Sequence, residues 1–157
     1  MSESTPRREV MQAQVANARA QLAEIAQTLS EADLVALRVT PEWNGLDMLR
    51  HVLFWNDTVL ESLEDWAGSH KLEQADDFDT FNHRQVQARA GLGREVLLAQ
   101  ISGAYDRYDM LLNTSSDAEL LQPGIAAWGE RMDRLGLIGV VGHDEEHYAH
   151  IRVAAGS

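Results

Sequence analysis

The residues with the most chemistry to offer lie near the end of the chain. His143-Asp144-Glu145-Glu146-His147-Tyr148-Ala149-His150 holds three of the six histidines. Positions four apart on a helix project from one face, so His143 and His147 can reach a single point. Neutral imidazole is the commonest side-chain ligand for divalent transition metals. Two ligands do not complete a site, and His51 is the best-placed third. The expectation is that His51, His143 and His147 hold one divalent metal inside a small helical bundle. Three histidines leave a coordination position open, as in catalytic rather than structural zinc sites. A metal so held lowers the pKa of bound water toward about 7, which gives hydrolysis, or stabilises an external thiolate, which gives attack on an electrophile. The chain has no cysteine, so sulfur chemistry would need a borrowed thiol.

Helices must bring these residues together, and the apolar spacing supplies them. Thr5-Pro6 reads as a cap with proline at the first helical position. Met11, Val15, Ala18, Leu22, Ile25 and Leu29 then recur at four and three, the seam of a long helix. Ser30-Glu31-Ala32-Asp33 is a capping box opening a short turn. Asn44-Gly45-Leu46-Asp47 has the same form and opens a helix running to about Trp66 and stopping at Gly68, with Leu49, Val52, Leu53, Leu60 and Leu63 as its core stripe. Residues 68 to 93 are a long connection with a short helix at its centre, roughly Asp77 to Ala90. Leu97, Ile101, Ala104, Tyr108 and Leu111 form another seam, closing near Asn113-Thr114-Ser115-Ser116. A last helix begins near Asp133 and carries the histidines to about Val153; Gly136, Gly139 and Gly142 each weaken it by about 1 kcal/mol relative to alanine and suit close approach by a neighbour or ligand. A weak repeat relates Leu29-Ser30-Glu31-Ala32-Asp33-Leu34 to Ser115-Ser116-Asp117-Ala118-Glu119-Leu120. Each is followed by a tryptophan (Trp43, Trp128) and a histidine-bearing helix. The fold class is all-α, two helical hairpins joined by one crossover.

Composition bounds the rest. The 157 residues suffice for one domain spanning 1–157. A net charge of −12 argues against nucleic acid as the main partner. No run of about 18 apolar residues suggests a membrane span, and the first residues do not read as a secretion signal, so a cytoplasmic protein is expected. His143-Asp144-Glu145-Glu146-His147 also fits the inverted zinc-protease pattern, but that mechanism needs a further acidic ligand, and none of the ten residues after His147 is acidic. Glu146 remains a candidate general base. Trp55, one turn from His51, is expected in the core rather than as a substrate platform. Asp47 could orient His51 but fits better as a helix cap. Asn82 is a candidate for the pocket or for a bond to the crossover backbone, and His150 for the outer surroundings of the metal.

These residues resemble the DinB/YfiT-like superfamily of metal-binding four-helix bundles. Pro41-Glu42-Trp43-Asn44-Gly45-Leu46-Asp47-Met48-Leu49-Arg50-His51-Val52 is similar to that family's tryptophan loop and first-histidine helix. Asp77-Phe78-Asp79-Thr80-Phe81-Asn82 is similar to its middle segment, and His143-x-x-x-His147 followed by Ile151 to its terminal pair. The similarity extends over about residues 8 to 153. Many members carry glutamine where this chain has His150, which leaves His150 as an alternative ligand to His143 or His147. The resemblance implies an up-down-down-up four-helix bundle with a long crossover between the second and third helices. It also implies a three-histidine site for zinc or nickel, often a homodimer, and S-transferase or isomerase chemistry with a low-molecular-weight thiol as co-substrate. The small substrate would be electrophilic. The competing expectation is a non-catalytic bundle that sequesters a small molecule, with metal structural or absent.

Overall fold

The apolar seams are buried as their spacing demands. The computed structural model describes residues 8–64, 77–121 and 142–156. Helix α1, Arg8–Thr28, buries Met11, Val15, Ala18, Leu22 and Ile25. Helix α2, Glu31–Ala36, opens on the Ser30–Asp33 capping box, with both reciprocal bonds formed. Helix α3, Gly45–Glu64, buries the whole expected stripe, and His51 with it. Helix α4, Phe78–Ala88, is capped by Asp77, whose carboxylate accepts from the N–H groups of Asp79 and Thr80. Helix α5, Arg94–Thr114, buries Leu97, Ile101, Ala104, Tyr105, Tyr108 and Leu112. The seam thus leaves through Leu112, with Leu111 only partly buried, because 3.6 residues per turn carries the stripe on by four rather than three. Helix α6 is Asp117–Leu121 and helix α7 is His143–Ala154. The described residues are helical apart from turns and one isolated antiparallel bridge, Arg38 to Asn44. None of their helices is long and apolar enough to cross a membrane.

The repeated hexapeptide has a structural counterpart. Ser116 and Glu119 exchange the same two capping bonds as Ser30 and Asp33, and the leucine that follows each box, Leu34 or Leu120, is fully buried. Thr5-Pro6, the helix end at Trp66 and Gly68, Trp128, Asp133, Gly136 and Gly139 lie outside the described residues.

Arginines show how the long helices run. Arg8 reaches the carbonyl of Leu112 and, at 2.8 Å, that of Ser115. Arg19 pairs with Asp106 and Asp109, and Arg94 donates to the carbonyls of Leu29 and Ala26. Low numbers on α1 therefore meet high numbers on α5, and the two are antiparallel. Arg50 donates to the carbonyls of Ala90 and Leu92 just before α5, whereas Arg107 meets Asp57 and Glu64. Helices α3 and α5 are therefore parallel, which requires the long connection carrying α4 between them. Helix α7 packs on α1 and α3, and one apolar core runs through all four long elements, from Met11 and Leu49 to Ile101 and Ile151.

The start of α3 is set by a close approach. A Cβ built on Gly45 would lie 2.8 Å from Leu34 Cδ2 and 2.9 Å from the Leu34 carbonyl oxygen. The side chain could yield, but the backbone of α2 could do so only by moving off α3. Gly45→Ala is expected to destabilise by about 1–3 kcal/mol, as overpacked cores do. A urea denaturation midpoint equal to that of the unaltered protein would show that α2 shifts freely.

Candidate metal centre

Two helix starts and one loop position the histidines. Asn44 and Asp47 cap α3 reciprocally, each backbone N–H donating to the other's side chain at 3.2 and 2.9 Å. Asp47 also pairs with Arg50 at 2.8 Å, so it anchors the helix and does not orient His51. One turn on, His51 points into the protein with 5% of its surface exposed. The loop before α3 is pinned by Val39 and Thr40 N–H groups donating to the Trp43 carbonyl and by Trp43 N–H donating to Thr40 Oγ1. This lays the Trp43 indole 4.9 Å from the His51 ring, centre to centre, and its Nε1 lies 3.4 Å from His83 Nδ1 on α4.

The three expected ligands converge. His143 Nε2 lies 3.2 Å from His51 Nε2 and 3.1 Å from His147 Nε2. One ligand nitrogen from each of the three falls within 4.8 Å of the others. Three nitrogens around one tetrahedral zinc, with bonds of about 2.0–2.1 Å, are about 3.3 Å apart, so the donor set fits a small divalent ion. His150 Nδ1 meets the outer nitrogen of His147, Nδ1, at 3.3 Å, so His150 backs a ligand from the solvent side. Glu146 is exposed on α7.

Two of the histidines, His51 and His147, are kept neutral, as ligation requires. His51 is held down to about 3, first by burial and then by the charges that His143 and His147 would carry. His147 is likewise held down to about 3, by burial and then by His143 and His150. In the unfolded chain these rings take up protons near pH 6.5, whereas the folded ones resist until about pH 3. Across that window the unfolded state binds more protons, so stability falls as pH falls. Metal-free protein is expected to lose melting temperature from pH 7 to pH 4, and His51→Ala to flatten that slope. Burial raises Asp144 and Asp57, which works the opposite way in both proteins. A slope equal in the two would mean that His51 is not held neutral.

Residues the sequence reading passed over stand behind the histidines. Asp144 is fully buried; its Oδ1 lies 3.5 Å from His143 Nδ1, and its Oδ2 accepts from the Tyr105 hydroxyl at 2.6 Å. The Tyr105 hydroxyl also contacts that of Tyr148 at 2.7 Å. Burial pushes both phenols well above their ordinary range, and the neighbouring Asp144 charge adds to it. Asn56 is also fully buried, and its amide lies beside the Asp144 carboxyl. The signal was present: Asp144, Tyr148 and Ile151 stand at i, i+4 and i+7, a core stripe with a carboxylate in it.

Trp43, which packs against the His51 ring, also forms one wall of a cavity of about 320 Å3 lined by Thr40, Pro41, Glu42, Asp79 and Asn82. Asn82 Oδ1 accepts from Trp55 Nε1 at 2.9 Å. Trp55 itself packs with Phe54, Phe78 and Phe81 and is partly buried, lying against the core rather than within it.

The fold is shared with an uncharacterised protein of Escherichia coli UTI89, whose crystal structure superposes with a TM-score of 0.84 over 99% of this chain and 96% of that one, at 14% sequence identity. No curated protein shows significant sequence similarity to the chain. The sequence profile of one family matches residues 14–151, most of the length and all three histidines, and on that match the chain belongs to the DinB superfamily.

Proposed function

We propose that this protein is a metal-dependent enzyme, a single up-down-down-up four-helix domain that binds zinc or nickel through His51, His143 and His147. Transfer of a small thiol to an electrophilic substrate is its favoured reaction. The observation that carries the reading is the meeting of three imidazole Nε2 atoms from α3 and α7, distant in sequence and spaced as a divalent ion needs. When bound, the ion would act as a Lewis acid toward water or an external thiol.

The chain's own groups supply the rest. His51, buried and neutral, holds the ion from the core side, and the α7 pair holds it from the more open side. Trp43 covers the His51 ring and keeps water from that flank. The Asn82 amide and the Thr40 hydroxyl, on the wall of the neighbouring cavity, offer hydrogen bonds to polar groups of a small substrate. Because the chain has no cysteine, the transferred sulfur must come from the co-substrate.

The test is metal analysis of protein purified without a histidine tag, followed by a screen of low-molecular-weight thiols against electrophiles, before and after chelation. The reading expects about one ion per chain and chelator-sensitive turnover. Absence of metal after supplementation with zinc and with nickel would end it. One ion per chain with no turnover on any thiol would remove the transferase and leave a binding protein. A melting temperature that collapses on chelation would make the metal structural.

A further inference from the structure

We propose that Asp144 is the positioning residue of this centre: its buried carboxylate, clamped by Tyr105, fixes His143 in the tautomer whose Nε2 lone pair faces His51 and His147. The inference deepens the metal-binding reading and rests on it for its purpose, but its geometry stands separately. His143 Nδ1 and Asp144 Oδ1 are both buried without a hydrogen-bond partner, and they lie 3.5 Å from each other. A shift of about half an ångström in the imidazole makes this a hydrogen bond of ordinary length. The opposite oxygen, Oδ2, is already engaged by the Tyr105 hydroxyl. That hydroxyl has one hydrogen and gives it to the carboxylate, so in its contact with Tyr148 the donor is Tyr148. Tyr105 of α5, itself held by Tyr148 of α7, thus engages one oxygen from behind, and the other lies toward His143 with the Asn56 amide beside the same carboxyl.

In its ionised form, which burial confines to higher pH than usual, the Asp144 carboxyl only accepts. Facing it, Nδ1 must carry the ring hydrogen, and Nε2 is left with the lone pair a metal needs. A buried aspartate that only tied α5 to α7 would not depend on which His143 nitrogen bears hydrogen, and that separates the two roles.

Asp144→Asn makes the distinction because it keeps shape and reverses donor and acceptor. The Tyr105 hydroxyl would hold the amide oxygen, and the amide NH2 would turn to His143 Nδ1 and impose the opposite tautomer. Long-range 1H–15N spectra of metal-free, histidine-labelled protein should show His143 as the Nδ1–H form in the unaltered chain and as the Nε2–H form in the variant. Zinc affinity, read by competition with a chelator, should fall about 10–100-fold. Tyr105→Phe, which only loosens the carboxylate, should lower affinity in the same direction by less. An Asp144→Asn protein with unchanged tautomer and zinc affinity overturns the proposal. If that variant does not fold, Tyr105→Phe with an unaltered tautomer and affinity overturns it instead. If the unaltered chain binds no zinc yet its His143 switches tautomer in the Asn variant, the positioning stands and the metal reading is what fails.

Discussion

His51→Ala is expected to abolish stoichiometric metal binding while leaving the helical content intact. The reason is geometric: His51 is the one donor that α3 supplies, and it closes the site from the core side. Losing an outer-sphere partner already costs about 10–100-fold in metal affinity, so losing a direct ligand should cost at least about 100-fold. The apo fold should tolerate the change, because the imidazole is buried in a neutral form that its neighbours disfavour charging. His147→Ala should behave alike, and His150→Ala should not, since His150 touches only the outer nitrogen of His147. Metal content of the three dialysed proteins, with far-ultraviolet circular dichroism as the control, decides this. Full metal retention by His51→Ala, or equal loss in His150→Ala, would overturn the ligand assignment.

Leu49→Ala should have the opposite profile, with a large loss of stability and metal stoichiometry unchanged in the molecules that remain folded. Leu49 is fully buried on α3, two residues before His51, in the core shared by α1, α3, α5 and α7. Truncating a fully buried leucine costs about 2–5 kcal/mol, the spread reflecting how far the cavity collapses. For a chain of this size that is a fall of roughly 5–15 °C in melting temperature. Calorimetry of metal-free protein is the measurement. A shift of under about 2 °C would mean that the helices repack around the gap, contrary to a core held this closely.

These two outcomes separate what holds the fold from what the fold holds. The same division shows in how much could be read beforehand. The seam of α1 was legible from Met11 to Ile25, because a helix buries one face and its period of 3.6 is written in the spacing, whereas Leu29 falls past the helix end and is only partly buried. The capping boxes at Ser30 and Asn44 were legible because they are closed within four residues. The pairing of His143 with His147 was legible for the same reason, one helical turn being a local fact. Asp144 was not. It stands in an Asp-Glu-Glu run that reads as a solvated acidic face, yet it is fully buried, and only Tyr105, 39 positions away, explains why.

Sequence alone determined the starts of α2, α3 and α4 and the apolar faces of α1, α3 and α5, since propensity, capping and periodicity act over a few residues. The tertiary structure decided that His51 meets the α7 pair, that His150 stands behind rather than within the cluster, and that a tyrosine-held aspartate backs His143. Those contacts join residues as far apart in sequence as His51 and His147. Their geometry depends on how whole helices pack, and no local pattern carries that information.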